Sequence, residues 1–259
     1  MHDRAILIVS FGTSCDGARE RAIVAVERAV RDAFPRMTCR TAFTSGMIRR
    51  KLAARGTLIP GVTEALAALR GEGARRVLVL PTHLIYGEEY DKLRVEARAM
   101  CGAFDDITIA KPLLADYDDV RAVLAAIDYG VPRRDGEALV LMGHGTAHHS
   151  NYIYAAMNDY VRDIGPDGCY IGTVEAYPAL DSVLARLAKD GRRSAVLTPL
   201  MLVAGEHAQN DMAGDGDDSW MSRLRAAGIE ARAVVRGLGE YEAVRALYCE
   251  HARQALADA

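Results

Sequence analysis

The stretch VLMGHGTAHH, residues 140–149, decides how the chain reads. An apolar run stops at Gly143 and His144 follows between two glycines, the pattern of a buried strand that ends in a tight turn. LIVSFGTSCD, residues 7–16, has the same shape, with Phe11 where His144 stands. Two more pairs follow in the same order. CRTAFTS (39–45) is laid on YIGTVEA (170–176) with slight identity, which sets Thr44 against Glu175. LPTHLIYGEE (80–89) matches TPLMLVAGEH (198–207) with Pro, Leu, Gly and Glu in register, which sets Glu89 against His207. Each segment is a strand with its outgoing loop. The chain therefore reads as two related halves, 1–130 and 131–259, with VPRRDGE (131–137) as the linker between them.

Outward from these motifs, strand-like runs at 4–10, 37–43, 76–81, 106–110, 137–142, 168–174, 194–199 and 230–235 alternate with segments of helical period. In 16–34 the apolar residues Ala22, Val24, Ala25, Val26, Ala29 and Val30 recur close to helical spacing. PGVTEALAALRGEG opens with Pro60 in a first turn and ends at glycine, and SRLRAAG ends at Gly228. Apolar strands alternating with helices imply parallel sheets covered on both faces. The expected fold class is α/β, as two similar parallel-sheet, Rossmann-like domains.

Composition narrows the function. The 259 residues are half apolar, about a quarter charged, and carry a net charge of −3. No basic stripe suits a nucleic acid, and no apolar run approaches a membrane span. The N-terminal apolar core is too short for a signal peptide, so the chain is expected in the cytoplasm. Five scattered cysteines without a C-x-x-C pair argue for reduced thiols over a disulfide framework, a zinc ribbon or an iron–sulfur cluster.

The two halves differ where chemistry would sit. Phe11, Thr44 and Glu89 in the first are answered by His144, Glu175 and His207 in the second, each at or just past the carboxyl end of an expected strand. In open α/β sheets that edge receives ligands. Two imidazoles and a carboxylate form a ligand set for a first-row divalent metal and leave coordination positions open for exchange. The same groups can act as general bases. Each has an ordinary alternative: His144 as a hydrogen-bonded loop residue, Glu175 as the cap of a helix starting near Pro178, His207 as an exposed first-turn residue. It is their joint placement that favours a site. His148 and His149 read as solvated or supporting residues early in a helix. His83, inside the third strand region opposite Met201, is a candidate cleft residue. His2 and His251 read as incidental. SFGTS lacks G-x-G-x-x-G and no P-loop occurs, so a nucleotide site is disfavoured. AGDGDDS (213–219) lacks the spacing of a calcium-binding EF-hand and reads as a solvated acidic loop.

With these motifs assembled, LIVSFGTS, AFTSGMIRRKL, HLIYGEEYDK, MGHGTAHH, VEAYP, PLMLVAGEHAQNDMAGD, and SW followed by GLGE resemble the anaerobic sirohydrochlorin cobaltochelatases of the CbiK type, over essentially the whole chain. The family belongs to the ATP-independent tetrapyrrole chelatases that include ferrochelatase. The resemblance implies two similar α/β domains with an active-site cleft between them. It implies insertion of Co(II) into sirohydrochlorin, or precorrin-2, in the oxygen-independent route to cobalamin. It puts metal binding on His144, Glu175 and His207, with His144 and His207 catalytic and His144 as proton acceptor. Ser10, Phe11, Thr13, Glu89, Met201 and Leu202 form the expected substrate-binding set, with Leu84, Ile85 and Val203 as further apolar lining. Arg49, Arg50 and Lys51 could meet the substrate's carboxylates or be a plain solvated helix face. No permanently bound cofactor is expected. Co(II) is the expected substrate metal, with Fe(II), Ni(II) or Zn(II) as alternatives in vitro, since imidazole and carboxylate accept all of them. The expected partners are the tetrapyrrole and cobalt, with no nucleic acid and no membrane; a homo-oligomer stays open. The alternatives are a siroheme-forming or nickel chelatase, a metal or tetrapyrrole carrier without turnover, and a metallohydrolase, for which no electrophile-binding signature is seen.

Overall fold

The structure is a computed structural model, described here over residues 3–257, so His2 lies outside the described residues. Eight strands form two separate four-stranded sheets, all parallel.

The first sheet holds β1 (Arg4–Ser10), β2 (Thr38–Phe43), β3 (Arg76–Pro81) and β4 (Asp106–Ile109) in the order β2-β1-β3-β4. Between β1 and β2 the chain is helical from α1 (Asp16–Arg19) through a π-helical turn, Glu20–Val24, to α2 (Ala25–Ala33). α3 (Gly46–Ala53) and α4 (Val62–Gly71) lead to β3, and α5 (Glu88–Arg98) leads to β4. Ile6, Leu7, Ile8 and Val9 are fully buried, which is why β1 has no polar alternation. α4 starts at Val62 with Gly61 at its N-cap and Glu64 bonding back to the Gly61 N–H at 2.8 Å, so Pro60 precedes the first turn instead of lying in it. Ser45 opens α3 by accepting from the Ile48 N–H at 3.3 Å.

The second sheet repeats the plan. α6 (Tyr117–Gly130) precedes β5 (Ala138–Gly143), α7 (Tyr152–Asp163) precedes β6 (Cys169–Thr173), α8 (Leu180–Lys189) precedes β7 (Ser194–Leu200), and α9 (Trp220–Ala226) precedes β8 (Glu230–Ala233). The order is β6-β5-β7-β8. In each sheet the first strand lies between the second and the third. The chain thus runs to one side and then to the other, creating a topological switch point between β1 and β3 and between β5 and β7.

The repeat extends to individual hydrogen bonds past the strand ends. Leu113 N–H donates to His83 O and Leu114 N–H to Leu84 O in one sheet; Leu238 N–H donates to Met201 O and Gly239 N–H to Leu202 O in the other. The same comparison corrects one pairing. Ser45 N–H donates to Phe11 O, and Glu175 N–H donates to His144 O. The counterpart of Glu175 is therefore Ser45, one residue beyond Thr44. Slight identity over a short strand could not reveal a slip of one.

The compact units do not follow the expected 1–130 and 131–259 division. One runs to Ala115 and takes in the stretch from Glu242 onward; the other spans Asp116–Tyr241. α6 goes with the second unit, where Tyr117 stacks on Tyr160 with ring centroids 6.3 Å apart. The last helix, α10 (Glu242–Ala257), goes with the first, where it packs on α2 and β3. Its buried Tyr248 hydroxyl donates to Thr82 O at 2.8 Å. The repeat marks where the sequence pattern starts again; apolar burial decides which sheet each terminal helix covers.

Candidate metal centre

Three loops leaving the carboxyl edge of the second sheet build the site. β5 ends at Gly143 and delivers His144. β6 ends at Thr173 and delivers Glu175 two residues on. β7 ends at Leu200, and a short loop leads to His207 at the start of a π-helical turn, His207–Met212. β5 and β7 flank the switch point.

The loops are pinned before any ion is considered. The sheet ladder continues past the strands, with Val174 N–H on Gly143 O at 3.0 Å and Glu175 N–H on His144 O at 2.9 Å, so two candidate ligands share a backbone bond. Asn151 ties the same loops from outside: its Oδ1 accepts from Thr146 N–H at 3.0 Å and its Nδ2 donates to Tyr177 O at 2.6 Å. Thr173 Oγ1 donates to Ala176 O at 2.7 Å. Gly145 has φ +84°, and a Cβ there would lie 2.9 Å from both Ala176 N and Thr173 Cβ. Only glycine allows that conformation and that approach together.

His144, Glu175 and His207 converge. One ligand atom from each lies within 4.8 Å of the others. Glu175 Oε2 is 3.6 Å from His144 Nδ1, and the two imidazoles meet edge to face with centroids 4.8 Å apart. A carbonyl can only accept, so in the neutral ring the 2.9 Å contact from His144 Nδ1 to Gly145 O places the proton on Nδ1 and the lone pair on Nε2. His207 Nδ1 lies 2.5 Å from Asp211 Oδ2. All three candidate ligands keep solvent access, at 47, 53 and 39% side-chain exposure for His144, Glu175 and His207. Three donors with open positions suit an ion that arrives and leaves; a structural site would be closed by a fourth ligand.

The remaining expected residues divide. Phe11 is 46% exposed at the end of β1. Met201 and Leu202 follow β7 and are partly buried, their carbonyls held by the 237–239 turn. Glu89 lies in the first turn of α5, with Lys92 Nζ 3.9 Å from its Oε2. Ser10 departs from expectation: it is fully buried, and its hydroxyl accepts from Thr82 Oγ1 at 2.7 Å, tying β1 to β3. Thr13 is buried too, and its Oγ1 accepts from the Cys15 N–H at 3.2 Å, a local turn contact. Glu175 does not cap α8, whose N-cap is Ala179. His148 bonds Ser150, and the His149 ring lies tilted against His148 outside the trio. Arg49 is engaged with Ile59 O and Glu64, while Arg50 and Lys51 are exposed.

His83 lies just past β3. Burial, with the Lys92 charge second, pulls its pKa down to about 4, so its ring is neutral at physiological pH. The first sheet gathers no ligand trio at the matching edge: Phe11 replaces His144, Ser45 caps a helix, and Glu89 faces the ammonium of Lys92. Sequence reasoning missed Asp211, Met47 and Tyr86. Asp211 stands four residues past His207, a spacing that puts two side chains on one helical face. Tyr86, 44% exposed, joins Phe11 on the loops leaving the first sheet, and Met47, 53% exposed, lies in the first turn of α3.

The family model for cobalt chelatase (CbiK) matches residues 4–257. A sirohydrochlorin cobaltochelatase of Salmonella typhimurium is 40% identical over 255 residues, covering 98% of this chain and 96% of that protein. The sirohydrochlorin cobaltochelatase CbiKC of Nitratidesulfovibrio vulgaris is 36% identical over 255 residues, covering 97% of this chain and 90% of its own. Among solved structures, SirB from Bacillus subtilis with Fe3+ aligns with TM-score 0.69 at 18% identity, covering 98% of this chain and 96% of SirB. CbiX, the terminal enzyme for biosynthesis of siroheme in denitrifying bacteria, aligns with TM-score 0.57 at 21% identity, covering 97% and 99%. At those identities the structural likenesses speak for the fold alone.

Proposed function

The chain belongs to the CbiK family of cobalt chelatases, and from that premise we propose that it inserts Co(II) into sirohydrochlorin, or precorrin-2, without ATP, using His144, Glu175 and His207 to hold the incoming ion. The observation that carries the site assignment is the convergence of two imidazoles and one carboxylate within 4.8 Å on three loops of one sheet edge. The family carries the substrate: its curated members above are sirohydrochlorin cobaltochelatases.

Metallation puts one divalent ion in place of two pyrrole N–H protons. The ligands must hold the ion firmly enough to position it and weakly enough to surrender it. Three exposed donors meet that need better than a closed four-ligand site. As the ion passes to the macrocycle, the Nε2 lone pair of His144 is freed and takes one pyrrole proton. The second leaves by way of Glu175, whose carboxylate is open to solvent. Met201 and Leu202, on the loop after β7, supply apolar surface for a flat macrocycle, and Phe11 remains a candidate substrate contact. Ser10 and Thr13 contribute through backbone and turn geometry, since their hydroxyls are engaged. Glu89 remains a candidate substrate contact. No resident cofactor is needed for this chemistry, and binding geometry lowers its barrier. No helix among the described residues is long and apolar enough to cross a membrane.

The test is anaerobic absorbance of sirohydrochlorin with Co(II), with and without protein, and with His144→Ala and His207→Ala. Wild type should accelerate the spectral conversion, and each variant should lose more than the roughly 10- to 100-fold that removing a group behind a metal ligand costs. Tight binding without acceleration would leave a carrier. Full activity in both variants would refute the site while keeping the enzyme. Fe(II), Ni(II) and Zn(II) run in parallel rank the metals, which this donor set by itself does not separate.

A further inference from the structure

The two candidate histidine ligands are not held alike. His144 Nδ1 meets a neutral partner, the Gly145 carbonyl, at 2.9 Å. His207 Nδ1 meets a carboxylate, Asp211 Oδ2, at 2.5 Å. The second contact lies inside the π-helical turn His207–Met212, where Ala208 and Met212 are buried. That buried pair anchors one face of the turn, and the pair one residue earlier, His207 and Asp211, shares the neighbouring face. The turn is closed behind them by Gly214 N–H on Asn210 O at 3.1 Å.

We propose that Asp211 is a positioning residue: it holds the proton of His207 on Nδ1 and fixes the ring, so that Nε2 faces the ion and His207 becomes the anchoring ligand while His144 is the one that lets go. The inference rests on the reading of His144, Glu175 and His207 as the metal site. Side-chain exposures of 39% for His207 and 46% for Asp211 mean that charge attraction between them contributes little. What the carboxylate supplies is direction. A free neutral imidazole chooses between two tautomers, and one of them places a hydrogen where the lone pair must be. A carboxylate at Nδ1 removes that choice and raises the ring's strength as a ligand. The Gly145 carbonyl gives His144 the same tautomer without the negative charge, so the two rings present the same atom with different donor strength. An ion-transfer site gains from that asymmetry, because one bond must persist while another breaks.

The test uses the full chain. Co(II) is titrated in by its visible absorption into wild type, Asp211→Asn, Asp211→Ala and His207→Ala. The tautomer of His207 is read by 15N NMR of the metal-free protein at mildly alkaline pH. Wild-type His207 should carry its proton on Nδ1. In D211N the side-chain amide can donate to Nδ1, so the proton should move to Nε2 while the other histidines stay as they were. Both Asp211 variants should bind Co(II) about 10- to 100-fold more weakly. A wild-type His207 protonated on Nε2 would overturn the proposal without need of any variant. So would D211N and D211A chains that bind Co(II) like wild type while H207A does not, and that result would leave the metal-site reading standing. An H207A chain that binds Co(II) as well as wild type would remove both.

Discussion

At the scale of single residues, position along the chain named the candidate ligands and direction decided the rest. His144, Glu175 and His207 were legible because their types are unusual at strand ends and because the first half lacks them. Ser10 departs from an open contact for a physical reason: every residue of β1 after Arg4 is buried, so no alternation separates an inward hydroxyl from an outward one. Gly145 shows how little freedom the site has. Gly145→Ala should cost about 1–3 kcal/mol of stability from its left-handed backbone and, by moving the Ala176 backbone, weaken Co(II) binding. Urea unfolding and metal titration of that variant check both effects. His83 gives a pH test. Its pKa is about 4 in the folded chain against an ordinary 6.5, so the unfolded chain binds the proton first as pH falls. Stability contributed by the neutral ring is complete above 6.5 and is lost between 6.5 and 4. His83→Gln should lose less stability than wild type between pH 7 and 5, by about 1–2 kcal/mol, measured as the shift in urea midpoint.

At the scale of elements, the linker VPRRDGE turned out to be stapled. Glu137 is buried and takes both Arg232 Nε at 2.8 Å and Arg232 Nη2 at 2.7 Å, with Arg134 N–H on its Oε2 at 3.0 Å. The stretch expected to link the two halves is thereby bound to β8. Hydrogen bonds from Arg232 hold the Glu137 carboxyl below its ordinary 4.5, so this contribution is present at neutral pH and is lost as pH drops below that value. Glu137→Gln leaves the partly exposed Arg232 without its anion and should cost about 1–3 kcal/mol, visible as a lowered unfolding midpoint at pH 7 that converges with wild type in acid. All eight strands were legible from their apolar runs and turn residues. Their pairing was legible only where identity was high. The β2–β6 match slipped by one because such a slip changes no composition, only which face each side chain takes.

At the scale of the whole molecule, the repeat identified two sheets of one plan but not which helix covers which. Val244, Tyr248, Cys249 and Ala252 of α10 are buried with the first unit. A chain stopped after Tyr241 should therefore lose the first unit's cooperative unfolding, followed by calorimetry against the full chain, because Tyr248 alone fills a fully buried position and bonds Thr82. By itself the sequence determined the strands, the parallel α/β class, the doubled plan and the three residue types of the candidate metal site, because apolar periodicity and donor chemistry are local properties. The tertiary structure alone decided that those three side chains meet, that Ser10 turns inward, that Ser45 and not Thr44 answers Glu175, and that Asp211 stands behind His207. Those outcomes depend on register and on the direction of each Cβ, which are set by what packs around a residue.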